Sequence, residues 1–283
     1  MNRKCTLGNI GRVVVVAAST LFAIGCGESK SSAPNIAPTS SALTAPKPAA
    51  MGSMKFVIDK ASTKVDFIMD APQEKIRGRV HNATVGDISV NLDDITKSTG
   101  LLNVDISGIE VYQTKADDKG KFGPEKKDDL QNKHVRNRLQ IGDDAPADQK
   151  DQKEKNSKVQ FSITSIETTG EKNVTKLTGA ERKVNFTVKG DFLLHQHQGK
   201  KSADIEATFK FDGDKPVSVA FKTVKPFGVD LAEYDVKPRD TFSTLAKKGL
   251  DLLAPKVAKE AQVSIDFTAK LDAAGGTQPA KAP

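Results

Sequence analysis

The fold is decided by residues 184–194, VNFTVKGDFLL, together with residues 203–211, ADIEATFKF. In both stretches apolar and polar residues alternate, which is the pattern of a β-strand with one buried face. The apolar positions of the second stretch include Ile205, Ala207 and Phe209. Long one-sided strands of this kind, joined by short turns, favour an antiparallel arrangement.

The same alternation extends outward from these two stretches over residues 54–271. Long one-sided strands joined by short turns favour a closed antiparallel barrel, because closure leaves no exposed strand edge. Residues 241–254 and 127–139 instead carry apolar residues at helical spacing, and residues 174–179 are predicted to form a weaker strand. The predicted fold is therefore all-β, an antiparallel β-barrel with one or two short helices.

The beginning of the sequence has the layout of a bacterial lipoprotein signal. Three basic residues precede an uncharged apolar run at residues 13–24, which is too short to span a bilayer but has the length of a secretory signal core. Small residues and then Cys26 follow, and the thiol of that cysteine can be acylated. We expect residues 1–25 to be a cleaved signal peptide and Cys26 to carry a lipid anchor. The alternative is an ordinary signal with an incidental cysteine.

The segments on either side of the predicted barrel have compositions that do not form a core. Residues 26–53 are rich in Ser, Pro, Ala and Thr and are expected to be a disordered tether, and residues 272–283 a disordered tail. Gly27 and Glu28, which follow the cysteine, lack an aspartate retention signal. The expected location is therefore the cell envelope, with the chain anchored by its lipid on the periplasmic side of the outer membrane.

The composition argues against several classes of protein. The chain has two cysteines, Cys5 and Cys26, and the first would leave with the signal peptide, so no disulfide, cysteine–zinc site or iron–sulfur cluster is expected. Its 43 basic and 36 acidic residues are interspersed, which argues against a nucleic-acid partner. No serine stands in a nucleophile elbow and no glycine-rich phosphate loop follows a strand. Neither catalysis nor a cofactor is predicted.

One short run, His195-Gln196-His197, has the composition of a metal site. Residues two apart on a strand face the same way. Phe192 and Leu194 lie on the predicted inward face, so His195 and His197 fall on the opposite face. Both histidines are therefore expected to point into solvent. Because no third ligand is evident, no metal site is predicted.

Several short motifs occur in a characteristic order. They are FVID at residues 56–59, IRG at residues 76–78, VQF at residues 159–161, VKGDFLLH at residues 188–195 and FGV at residues 227–229. In this order and spacing they resemble the YceI-like family of exported, lipocalin-like barrels that bind long isoprenoid or fatty ligands. The resemblance covers residues 55–271. The sequence departs from it in a longer turn after His195, in charged insertions around residues 127–139 and in the predicted helix at residues 241–254.

The resemblance implies a barrel that holds one long apolar molecule and needs no cofactor. The inward-facing residues predicted to contact this ligand are Phe67, Phe161, Phe186, Phe192, Ile205, Ala207, Phe209 and Phe221. The expected partners are an isoprenoid or other lipid-like small molecule and the membrane, and a homodimer is left open. Two alternatives remain. One is a structural or partner-binding envelope protein with a fully packed barrel, and the other is an enzyme that acts on a lipid at the barrel mouth.

Overall fold

The computed structural model describes residues 37–40, 42–43, 46, 49–143, 149–236 and 260–273. The predicted signal peptide, Cys26 and the predicted helix at residues 241–254 lie outside the described residues. The strands are β1 (Met54–Ile58), β2 (Lys64–Ala71), β3 (Glu74–His81), β4 (Thr84–Val90), β5 (Thr99–Asp105), β6 (Glu110–Lys115), β7 (Lys126–Lys127), β8 (Lys158–Glu167), β9 (Glu181–Leu194), β10 (His197–Asp212), β11 (Lys215–Thr223), β12 (Phe227–Asp230) and β13 (Glu260–Leu271). The α-helices are α1 (Asp129–Arg138) and α2 (Lys150–Ser157).

Eight strands close a barrel in the order β1-β4-β5-β8-β9-β10-β11-β13, and the pairing of β13 with β1 completes the ring. The pairings around this ring are all antiparallel. The longest hairpin joins β9 to β10, where Leu194 pairs with His197 and Glu181 pairs with Lys210. The prediction of an all-β, lipocalin-like antiparallel barrel is therefore confirmed.

Strand β13 has two partners along each of its edges. Toward its carboxyl end it pairs with β1 and β11, and toward its amino end it pairs with β2 and β12. A short turn, Lys60–Ser62, separates β1 from β2, and the Asp59 carboxylate caps it by accepting a hydrogen bond from the Ala61 N–H. After this turn, β2 pairs with β3 and β3 pairs with β6, so these three strands extend the wall beyond the closed ring.

Helix α1 covers the outer edge of β6. Beyond a two-residue pairing with β7, this edge meets the side-chain amide of Asn132, which accepts a hydrogen bond from the Val111 N–H (2.8 Å) and donates one to the Val111 carbonyl (3.0 Å). The amide thus takes the place of a strand partner and protects the edge from other chains. The helix begins after Asp128, whose carboxylate accepts a hydrogen bond from the Gln131 N–H. It lies within the predicted range 127–139.

The prediction of a strand at residues 174–179 is wrong. Val174–Lys176 form a single 3-10 turn, which the Asn173 side chain caps by accepting a hydrogen bond from the Thr175 N–H. The Val174 side chain is fully buried in the barrel core, so this segment contributes to the packed interior and adds no strand to the wall. None of the helices in the described ranges is long and apolar enough to cross a membrane.

Candidate functional site: the barrel cavity

The barrel interior contains a cavity of about 250 Å³. Two clusters of buried apolar side chains fill the rest of the interior, one around Phe56 within the closed ring and one around Tyr234 at the end covered by α1. The cavity wall includes Leu102 from the first cluster and Leu139 from the second. The cavity therefore extends from one half of the barrel into the other.

The structure brings most of the predicted ligand-contact residues to this wall. Those on the wall are Phe67, Phe161, Phe186, Phe192, Ile205 and Phe221. They come from β2, β8, β9, β10 and β11, and they share the inward face because alternate residues of a strand point to the same side. Their convergence on one cavity is observed, and their contact with a ligand stays a prediction.

Ala207 and Phe209 are the exceptions, because the structure places neither of them on the cavity wall. Both are completely buried in the packed cluster of the closed ring. Ala207 lies opposite Val184 on β9 and opposite Phe221 on β11, so its methyl group is enclosed by side chains from both neighbouring strands. Ala203, four residues earlier on β10, does line the cavity. The hollow part of the barrel thus lies toward the start of β10.

Two aromatic rings of the wall lie over glycines of the neighbouring strand. Phe67 pairs with Gly78, and a methyl group added to Gly78 would overlap the Phe67 ring. The ring of Phe161 lies over Gly190 in the same way, and a methyl group there would also overlap the Ser162 carbonyl oxygen. These glycines leave space in which the rings rest against the sheet. Both rings can therefore form the wall without filling the cavity.

The wall carries two cationic side chains among the described residues, Arg138 at the end of α1 and Lys201 on β10. The Lys201 ammonium lies 3.1 Å from the Glu233 carboxylate and 5.4 Å from the centroid of the Tyr234 ring. Lys201 could be predicted from the sequence, because it lies two residues before Ala203 and therefore on the same inward face of β10. Neither cation is among the predicted ligand contacts, and both stand on an otherwise mostly apolar wall.

The prediction that His195 and His197 point into solvent is wrong, because only 4% and 3% of these residues are exposed. His195 and Gln196 form the two-residue turn between β9 and β10, and both have positive φ, 50° and 62°, as in a type I′ turn. The alternation of faces along β9 does not continue through such a turn. The His195 Nδ1 lies 3.1 Å from the Tyr234 carbonyl oxygen, to which it donates a hydrogen bond.

Other parts of the chain cover this turn. The N–H groups of Thr39 and Ser40 both donate to the Gln196 carbonyl, at 3.0 and 3.1 Å. The Gln196 side chain donates a hydrogen bond of 2.7 Å to Asn156 in α2. Segments far apart in sequence therefore bury a turn that would otherwise be exposed.

Part of the segment predicted to be a tether touches the barrel wall. Leu43 is 8% exposed, and its N–H donates a hydrogen bond of 2.7 Å to the Gln160 side chain. Thr39 adds a second contact, since its hydroxyl accepts a hydrogen bond of 2.7 Å from the Gln198 N–H. Thr39, Ser40 and Leu43 thus lie against the β8–β10 region of the barrel. The remainder of residues 26–53 stays a predicted tether.

Burial governs the protonation of the groups around the turn. It lowers the pKa of His195 below its usual 6.5, although the hydrogen bond to the Tyr234 carbonyl opposes this shift. The imidazole is therefore neutral at neutral pH. Burial also raises the pKa of the Tyr234 hydroxyl, so that the phenol stays protonated.

No family model matches the sequence, and no curated protein matches it. The solved structures to which the chain is similar include two that share its barrel over most of their length. One is a polyisoprenoid binding domain from Saccharophagus degradans implicated in plant cell wall breakdown, with 10% identity, a TM-score of 0.47 and coverage of 77% of this chain and 99% of that one. The other is BcnA from Burkholderia cenocepacia, with 14% identity, a TM-score of 0.43 and coverage of 75% of this chain and 99% of that one. Both similarities are distant.

Proposed function

We propose that this chain binds one long apolar molecule, an isoprenoid or fatty-acyl chain, inside its barrel. The observation that carries the proposal is the internal cavity with its almost wholly apolar wall. In a cavity of about 250 Å³ without a ligand, the apolar wall either lacks contact partners or faces water, and both are unfavourable. An apolar ligand would remove this cost.

The cavity wall would bind such a ligand mainly by burying its apolar surface and by dispersion contacts, and less by hydrogen bonds. Each methylene group that leaves water contributes about 0.8 kcal/mol, so a long chain binds well against aromatic side chains such as Phe186 and Phe192. A polar or anionic end group of the ligand would lie near Arg138 and Lys201. Within the described residues the wall carries no carboxylate and no imidazole, which favours binding over acid–base catalysis.

Replacing Ala203 with Trp is expected to reduce ligand binding at least about tenfold without unfolding the barrel. The indole would project into the cavity, and displacing only two methylene groups of the ligand at about 0.8 kcal/mol each corresponds to a tenfold weaker complex. The measurement is extraction of the purified chain with organic solvent, followed by mass spectrometry of the extracted lipids. A covalent anchor would stay on the protein during extraction.

The matched control is Asp204→Trp, which places the same side chain on the outer face at the next position of β10. It is expected to carry as much extractable lipid as the unmodified chain, and thermal melting should show that both variants are folded. An unmodified chain that carries no lipid, or an Ala203→Trp variant that carries as much as the control, would exclude the proposed function.

We propose further that the chain is an exported envelope lipoprotein, anchored through Cys26. The support for this is the basic, apolar and small-residue order of residues 1–26. Cys26→Ser is expected to abolish incorporation of a labelled fatty acid in cells, because serine cannot form the thioether bond. The control Cys5→Ser should keep the label, since Cys5 precedes the predicted cleavage site. Labelling of the Cys26→Ser protein would refute the anchor.

A further inference from the structure

A second cluster of polar side chains lies outside the cavity wall, at the turn between β9 and β10. His195, His197 and Asp235 each offer one possible ligand atom, and these atoms lie within 4.8 Å of one another. Asp235 follows the turn Leu231–Tyr234 and is far from the two histidines in sequence. The cluster therefore joins the β9–β10 hairpin to the segment that follows β12.

The two imidazoles present buried ring nitrogens that the surrounding protein does not satisfy. The His195 Nδ1 faces the Tyr234 carbonyl, which can only accept a hydrogen bond, so Nδ1 carries the proton and Nε2 carries the lone pair. Both the His195 Nε2 and the His197 Nδ1 are buried and have no hydrogen-bond partner in the structure. Buried polar atoms are normally paired, because leaving them unpaired is unfavourable.

The hydrogen bond at Nδ1 is the arrangement that metal-ligating histidines show. In such sites the second ring nitrogen donates to a carbonyl or carboxylate, which fixes the tautomer and the orientation of the ring. Here the Tyr234 carbonyl has that role, and it belongs to the residue directly before Asp235. The residue that orients one imidazole is thus adjacent in sequence to the carboxylate that completes the cluster.

The backbone also holds these groups in unusual conformations. His195, Gln196 and Asp235 all have positive φ, at 50°, 62° and 53°, in a region that side chains other than glycine adopt at some cost. This conformation turns His195 inward when the strand alternation alone would point it to solvent. The expectation that no metal site exists rests on outward-facing histidines and on the lack of a third ligand. Both histidines are buried, and Asp235 offers a third ligand atom.

We propose that the His195 Nε2, the His197 Nδ1 and a carboxylate oxygen of Asp235 bind one divalent transition-metal ion, of which Zn²⁺ fits best. Imidazole and carboxylate are ordinary zinc ligands, and three protein ligands leave a fourth tetrahedral position for water. With bonds of about 2.0–2.1 Å the ligand atoms of such a site lie about 3.3 Å apart, so the cluster closes by small movements of its side chains. The ion would link the β9–β10 turn to the segment that follows β12.

The test is binding of Zn²⁺ to the full chain, purified without a polyhistidine tag and treated with a chelator. Calorimetric titration should show one ion per chain, and Zn²⁺ should raise the melting temperature. His197→Gln and Asp235→Asn are each expected to weaken binding by at least about 100-fold, because even changes beyond the direct ligands cost about 10–100-fold. Both should lose the zinc-dependent rise in melting temperature.

The matched control is His81→Gln, which removes an exposed histidine that is paired with Asp66. It should bind Zn²⁺ as tightly as the unmodified chain. Thermal melting of each variant in the presence of chelator shows whether the variant is folded without zinc. The proposal concerns the further rise in melting temperature when zinc is added. The inference fails if the unmodified chain binds no Zn²⁺, or if His197→Gln and Asp235→Asn bind it as the control does. A buried water at the cluster is then the remaining interpretation. This outcome is independent of whether the cavity carries a lipid.

Discussion

Replacing Ala207 with Trp is expected to lower the free energy of unfolding by about 1–3 kcal/mol or more, the usual cost of overpacking a core. Ala207 has no exposed surface and is not on the cavity wall. Val184 and Phe221 lie directly opposite it on the two neighbouring strands. An indole at this position can be accommodated only if those side chains or the strands themselves move. Urea denaturation of the purified variant measures the loss.

The informative comparison is with Ala203→Trp, which introduces the same side chain on the same face of the same strand. Because Ala203 lines the cavity, its variant should unfold at nearly the urea concentration of the unmodified chain. Similar losses of stability at the two positions would contradict the division of the barrel into a packed part and a hollow part.

Gly190→Ala is expected to be destabilising by at least about 1–3 kcal/mol. The added methyl group would overlap the Ser162 carbonyl oxygen on the neighbouring strand as well as the Phe161 ring. A ring can rotate, but a carbonyl oxygen in the sheet moves only with its strand. Chemical denaturation should show the loss. A variant as stable as the parent would mean that β8 and β9 separate easily.

Gly78→Ala provides the contrast, because the three atoms nearest to its added methyl group all belong to the Phe67 ring. Adding Phe67→Leu should therefore restore most of the stability lost in Gly78→Ala. Phe161→Leu should restore less in Gly190→Ala, since the Ser162 carbonyl remains in place. The two double-mutant cycles measure these couplings directly, and neighbouring residues typically couple by about 0.5–3 kcal/mol.

The alternation of residues was sufficient to predict the barrel, because one-sided strands must bury their apolar face. It could not predict where the barrel is hollow. Ala203 and Ala207 have the same position in the pattern, and what distinguishes them is the set of side chains that β9 and β11 bring alongside. That information depends on strand register and strand bending, which the sequence pattern does not contain. The prediction therefore groups Ala207 with Ala203, although the structure places only Ala203 on the cavity wall.

The histidines at the β9–β10 turn show a second limit of the pattern. Alternation holds within a strand, but His195 lies in a turn with positive φ, where the direction of the side chain is reset. The cover over this turn comes from Thr39, Asn156 and Tyr234, which are distant in sequence. Helix α2, which supplies Asn156, has the sequence KDQKEKNS and therefore has no apolar period by which it could be predicted.

The position of β13 has a consequence for the rate of folding. It is the last strand of the described chain, and it pairs with β1 and β2 near the beginning of the barrel, so that the Thr268 N–H and the Ser62 hydroxyl form a hydrogen bond across 206 residues of sequence. Contacts between such distant residues require a large loop to close before they are formed, and proteins dominated by them fold slowly. Until β13 is in place, the edges of β1, β2, β11 and β12 that it covers have no partner, and unpaired edges are prone to aggregation. We therefore expect closure by β13 to be the slow step of folding and the stage at which the chain most needs protection from aggregation.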